Sequence, residues 1–134
     1  SIFHANLKQY GDWTAIESGL TAGGVPDSNF CIAGAEGWVE YKLARHWRVT
    51  VRTEQVGWAE RRLRHGGRVF LAVWRAEREL WLLTGWAARA AKVDGLNAVP
   101  KRTLIGVWEG EKEDWPWARV AKSLSTHKFL VVPK

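Results

Sequence analysis

Apolar and polar positions lay out a succession of short elements along this chain. Ile2, Ala5, Leu7 and Tyr10 fall at helical spacing over residues 2–10, and Gly11 closes that run. Trp13 to Glu17 reads as a strand with Trp13, Ala15 and Glu17 on one face. A Gly-rich connection over residues 18–26 follows. Ser28 to Ile32 and Trp38 to Leu43 read as paired strands of a hairpin turning near Gly34-Ala35-Glu36-Gly37. Ala44 to Thr53 is a basic connection. A helix is expected from Thr53, as N-cap, to about His65, stopping at Gly66-Gly67. Val56, Ala59 and Leu63 share one face of it, and Gln55, Trp58 and Arg62 form an adjacent stripe.

Beyond it, Val69 to Arg75 reads as a buried strand, Ala76 to Glu79 as a turn, and Leu80 to Thr84 as its partner strand. Trp86 to Val93 reads as a helix, Asn97 to Thr103 as a loop, and Leu104 to Trp108 as a strand. An acidic turn leads to a last helix, Trp115 to Leu124, with Pro116 at its start. Phe129 to Val132 reads as a short edge strand. The order predicts an α/β fold in which helices cover a central mixed sheet.

Composition adds limits. At 134 residues the chain is expected to be one domain, large enough to bury a core without staples. Its single cysteine, Cys31, excludes an internal disulfide, fits a reducing compartment and is expected in the core. No apolar run approaches a membrane span and no secretory signal is visible, so a cytoplasmic protein is expected. No phosphate-cradling P-loop or Ser-His-Asp order is present, and the four histidines are scattered.

Charge changes the picture more. The formal net charge is +6 and the isoelectric point is about 9.8. From Leu43 to Arg68 there are seven Arg against two Glu, a concentration that suits a polyanionic partner. Ten Trp stand out. Trp38, Trp74, Trp81 and Trp108 lie in apolar strand-like runs and are expected in the core. Trp47, Trp58, Trp115 and Trp117 have polar neighbours and are candidate contact surfaces, since indole rings can stack on bases or sugars.

The chemistry concentrates in two stretches. Gly24-Val25-Pro26-Asp27 is a turn ending in a carboxylate. Trp38-Val39-Glu40-Tyr41-Lys42 is an apolar run interrupted by a carboxylate and an amine, which alternation places on one strand face, opposite Val39 and Tyr41. The hairpin is expected to bring Asp27 close to Glu40. Two adjacent carboxylates need a neutralising partner, and a divalent cation is the usual one. Magnesium takes one or two protein carboxylates plus water and substrate phosphate. Asp27 and Glu40 would supply that minimum, with the Tyr41 backbone carbonyl as a further ligand and Lys42 beside the reacting water or phosphate. A surface ion pair on an edge strand is the plain alternative for Glu40 and Lys42.

The pattern Gly24-Val25-Pro26-Asp27, then Glu40-Tyr41-Lys42, then Gln55, then Gly66-Gly67-Arg68-Val69 leading into a strand, resembles the PD-(D/E)XK nuclease superfamily. Within it, the pattern is similar to the Holliday-junction-resolvase-like and virus-type replication-repair (VRR-NUC) branch, often encoded by phages. The resemblance covers about residues 13–84 and leaves residues 85–134 as an unmatched C-terminal extension. It implies a restriction-endonuclease-like core and a catalytic set of Asp27, Glu40, Lys42 and Gln55. It also implies a Mg2+ cofactor, with Mn2+ as substitute, held by Asp27 and Glu40, and no small-molecule organic cofactor. Members often carry one more acidic residue before the motif, frequently on the first helix. That helix here has none, which leaves Glu17 as the candidate. The branch further implies branched or junction DNA as substrate, a homodimer that cuts two strands, no membrane partner, and the host-cell cytoplasm if the chain is phage-encoded.

A metal-dependent DNA endonuclease is therefore the leading expectation. Arg45, Arg48 and Arg52 lie between the Glu40 strand and the Gln55 helix, where they could hold the DNA backbone. A non-catalytic nucleic-acid-binding protein that keeps the fold is the alternative. A carbohydrate- or protein-binding module built on exposed Trp is a third reading, separable because its binding would depend little on salt.

Overall fold

The structure, a computed structural model, describes residues 2–16 and 23–129. Its centre is one six-stranded mixed sheet whose strands lie side by side in chain order: β1 (Asp12–Ala15), β2 (Ser28–Ile32), β3 (Ala35–Ala44), β4 (Val69–Arg75), β5 (Glu79–Thr84) and β6 (Leu104–Glu109). Every neighbouring pair is antiparallel except β3 with β4, which is parallel. A parallel pair needs a crossover, and α2 (Thr53–Arg64) supplies it. The α/β class expected from the sequence is the one observed, and the arrangement is compatible with a restriction-endonuclease-like core.

Period-two alternation builds two cores on the two faces of the sheet. Phe30, Val39, Phe70, Ala72, Leu80 and Leu82 point to one face, beneath α1 (Ile2–Leu7) and α4 (Trp117–Thr126). Leu71, Val73 and Leu83 point to the other, where they meet Val56 of α2 and Ala88 and Ala91 of α3 (Ala88–Val93). Strand β4 is buried on both sides, which its uninterrupted apolar run Val69-Phe70-Leu71-Ala72-Val73 requires. Each fully buried Leu or Phe here is worth roughly 1.5–3 kcal/mol of transfer free energy.

Several local expectations are corrected. The β2–β3 hairpin turns at Ala33-Gly34 alone, with φ of 49° and 84°, so Ile32 pairs with Ala35 and β3 begins three residues earlier than expected. Both central residues sit in the left-handed region, as a tight hairpin matching the strand twist demands. Gly37 belongs to the strand, where a Cβ would lie 2.5 Å from Cζ of the Phe30 ring. Trp58, Trp115 and Trp117 are buried, while Trp38, Trp74, Trp81 and Trp108 are only half-buried. Trp115 and Trp117 plug the first core against Trp74 and Phe3, and Trp58 packs edge-on to Trp38. Cys31 is half-buried rather than core.

The first helix runs only to Leu7 and continues as a 3-10 turn to Tyr10. Helix α4 begins at Trp117, with Pro116 as its N-cap, and runs to Thr126. Strand β1 ends at Ala15; Glu17 and the residues 130–132 of the expected edge strand lie outside the described residues. Among the described residues no helix is long and apolar enough to cross a membrane.

Candidate active site

Glu40 and Lys42 project from β3 onto the face covered by α2, in register with Leu71 and Val73 of β4, while Val39 and Tyr41 face the first core. Tyr41 is fixed there by stacking on Phe3, with ring centroids 4.6 Å apart. That anchor sets the orientation of the strand and so the direction of Glu40 and Lys42 on the reverse side.

Asp27 immediately precedes β2. The β2–β3 ladder ends at Ser28 with Val39, and the Asp27 side chain continues it: the Tyr41 backbone N–H donates to Asp27 Oδ2 at 2.8 Å. The Asp27 carbonyl in turn accepts from the Ile16 N–H at 2.8 Å. The turn before Asp27 is locked against the start of α2. Gly24 has a φ of 80°, and a Cβ there would fall on the Glu54 carbonyl. Glycine is thus required at this position twice, for its backbone angle and for the contact. That contact ties the Asp27 turn to the helix turn that carries Gln55.

Gln55 joins the site together. Its Nε2 donates to Glu40 Oε2 at 3.1 Å, and its Oε1 accepts from Lys42 Nζ at 3.0 Å. The same Oε1 accepts from the Arg52 backbone N–H at 2.9 Å. The helix N-cap is therefore Arg52, not Thr53 as the sequence suggests, because the Gln55 side chain satisfies the free N–H of the helix start. Lys42 Nζ also lies 3.4 Å from Glu40 Oε2.

The electrostatics are those of a carboxylate held against its preference. Glu40 is 8% exposed. Burial, foremost, and then the neighbouring Asp27 carboxylate push its pKa from 4.5 to about 7, and Lys42 only partly opposes them. Asp27, which is exposed, is close enough for the two carboxylates to repel each other as like charges. Glu40 Oε1 is buried with no hydrogen-bond partner among the described residues. An orphaned anionic oxygen beside a second carboxylate is the donor set a hard divalent cation takes, so the residues present fit such an ion. Among the described residues no group of three or more His, Cys, Asp and Glu gathers, so Asp27 and Glu40 are the side-chain ligands that those residues offer.

Asp27, Glu40, Lys42 and Gln55 are thus brought together. Glu17 lies outside the described residues. Arg45, Arg48 and Arg52 are exposed, and Arg52 pairs with Glu54 at 3.0 Å. Arg68 has a structural task instead. Its guanidinium donates to the Leu124 carbonyl at 2.6 and 3.2 Å and to the His127 carbonyl at 2.8 Å, holding the end of α4. Gly24 is the residue whose role sequence reasoning left undefined; its signal was the position three residues before a candidate ligand.

No protein-family model matches this chain, and no curated protein matches it in sequence.

Proposed function

We propose that this chain is a metal-dependent endonuclease that hydrolyses DNA phosphodiester bonds, with selectivity for branched DNA such as four-way junctions. The observation that carries the reading is the meeting of Asp27 and Glu40 beside Lys42, all three tied to one another through Tyr41 and Gln55. A structural ion pair would need neither the second carboxylate nor the buried, unpaired Glu40 oxygen.

Asp27 and Glu40 would hold Mg2+, for which Mn2+ would substitute, with the Tyr41 carbonyl as a further ligand. When bound, the ion supplies Lewis acidity toward a phosphoryl oxygen and lowers the pKa of a coordinated water. Lys42, as the ammonium, would stabilise the charge that builds on the phosphate and position the attacking water. Gln55 fixes both neighbours: its amide N–H holds Glu40, and its carbonyl oxygen holds the Lys42 ammonium in place. Glu17, the remaining acidic candidate, would add to this set from the segment after β1. Arg45, Arg48 and Arg52 would contact the DNA backbone from the connection that leaves β3, setting position without reading sequence. Cutting both strands of a junction calls for two such sites, hence a homodimer.

Asp27→Asn tests the reading. Cleavage with magnesium should be lost while DNA binding in chelator stays within about twofold, because an amide is a poor ligand for a hard cation but leaves the basic surface intact. Normal cutting by this variant would refute the site assignment. Binding without any cutting by the wild-type chain would favour the non-catalytic DNA-binding reading.

A further inference from the structure

Trp47 is the most exposed of the ten tryptophans, at 40%, and yet it is held in place on several sides. The Arg75 guanidinium lies over its ring, 3.8 Å from the centroid. Arg75 is fixed in turn by Glu79, with Nε to Oε1 at 2.6 Å, and the same carboxylate oxygen accepts from Trp81 Nε1 at 2.8 Å. Trp81 meets Trp47 edge-on, with centroids 5.9 Å apart at 80°. The Trp47 backbone carbonyl accepts from the Leu96 N–H at 2.7 Å, which fixes the main chain that carries the ring. These contacts serve the fold, at about 0.5–1.5 kcal/mol for each aromatic or cation–π contact, and leave part of the ring open to solvent. Prior fixing does remove the ordering cost of a later stacking contact.

The position matters as much as the rigidity. Arg75 pairs in register with Ala44, on the same sheet face as Glu40 and Lys42, whose partners on β4 are Leu71 and Val73. Arg75 is thus four residues beyond Leu71 along β4, about 13 Å at the rise of a strand. Trp47 belongs to the connection that also carries Arg45 and Arg48, exposed cations that suit phosphates.

We propose that Trp47 is a stacking platform for an unpaired nucleobase in a single-stranded segment of DNA, on the same side of the sheet as the carboxylate pair. The proposal rests on the reading of this basic connection as a DNA contact and adds to it a preference: this site takes a base free of its partner. The guanidinium stacked on the indole and the exposed arginines of the same connection supply the charge complement of the sugar–phosphate backbone, while the ring supplies a face that any of the four bases can use.

The test uses the full chain in chelator, so that no cleavage occurs. Fluorescence of a single-stranded oligonucleotide carrying 2-aminopurine reports stacking, and titrations of that strand and of a fully paired duplex report affinity. Wild type is expected to quench the probe. Trp47→Ala should restore its fluorescence and weaken single-strand binding about tenfold or more, with duplex affinity within about twofold of wild type. Trp47→Phe, which keeps an aromatic face, should retain most of the quenching; a melting curve verifies that each variant is folded. Equal loss on both DNAs, or no loss on either in a folded Trp47→Ala protein, would overturn the platform while leaving the DNA reading in place. Failure of the wild-type chain to bind either DNA would overturn both.

Discussion

Replacing Glu40 with glutamine should make the metal-free protein more stable, although it removes a residue the proposed chemistry requires. The magnitude follows from the site. In the folded chain Glu40 titrates near 7 rather than 4.5, so between those values the native state holds a proton that the unfolded chain has released. A carboxylate whose folded pKa is raised contributes stability that is fully present below about 4.5 and is lost as the pH climbs through about 7. By pH 8 the whole gap is forfeited, on the order of 3 kcal/mol at about 1.4 kcal/mol per unit. Glutamine has no proton to lose. Its amide still has to be buried, which returns about 1 kcal/mol of that gain. A net gain of about 2 kcal/mol corresponds to roughly 8 °C in Tm for a chain of this size.

The assay is thermal unfolding of both proteins in chelator, at pH 8 and at pH 5. The variant should melt higher at pH 8, and the difference should largely vanish at pH 5. Magnesium should raise the wild-type Tm and leave the variant's unchanged, since an ion that binds only the native state stabilises it by mass action. A Glu40→Gln protein that melts lower than wild type at pH 8, or a difference independent of pH, would refute the claim that Glu40 is held as an uncompensated carboxylate.

Three further outcomes follow from the same geometry. Gly24→Ala should cost about 2–4 kcal/mol in denaturant unfolding, from a left-handed backbone angle and a Cβ set on the Glu54 carbonyl, and should depress cleavage by displacing Asp27; a neutral result would dissociate the turn from the site. Lys42→Ala should fold normally and lower single-turnover cleavage by about 10²-fold or more, and an unchanged rate would remove the amine from the chemistry. Arg48→Ala should reduce the salt slope of DNA binding without changing stability, whereas Arg68→Ala should do the reverse, losing about 2–3 kcal/mol through its bonds to the Leu124 and His127 carbonyls; identical behaviour of the two would contradict the division between DNA-facing and structural arginines.

Much of the fold was legible in the sequence because its strands obey simple alternation. Ser28 to Ile32 and Val69 to Arg75 are strands with the boundaries that their apolar patterns give. The pairing of Glu40 with Lys42 on one face, and Gln55 reaching them from the next helix, were also readable, since a period of two and a period of 3.6 each leave one answer. Tryptophan burial was not. Trp58, Trp115 and Trp117 have polar neighbours in sequence, but on a helix or beside a turn those neighbours point elsewhere, and the ring follows the tertiary gap it fills. The hairpin turn was misplaced because Gly37 looks like turn chemistry, whereas it is a strand position kept small by the Phe30 ring. The clamp of Gly24 on the first turn of α2 joins segments about thirty residues apart, and no local pattern carries such information.

The most direct test of the central claim is cleavage of a labelled four-way junction and its matching linear duplex, with magnesium and with chelator, by wild type and Glu40→Gln. The wild-type chain should cut the junction in preference to the duplex, only with magnesium, and Glu40→Gln should bind the junction without cutting it. Cutting in chelator, or cutting by Glu40→Gln at the wild-type rate, would contradict that claim.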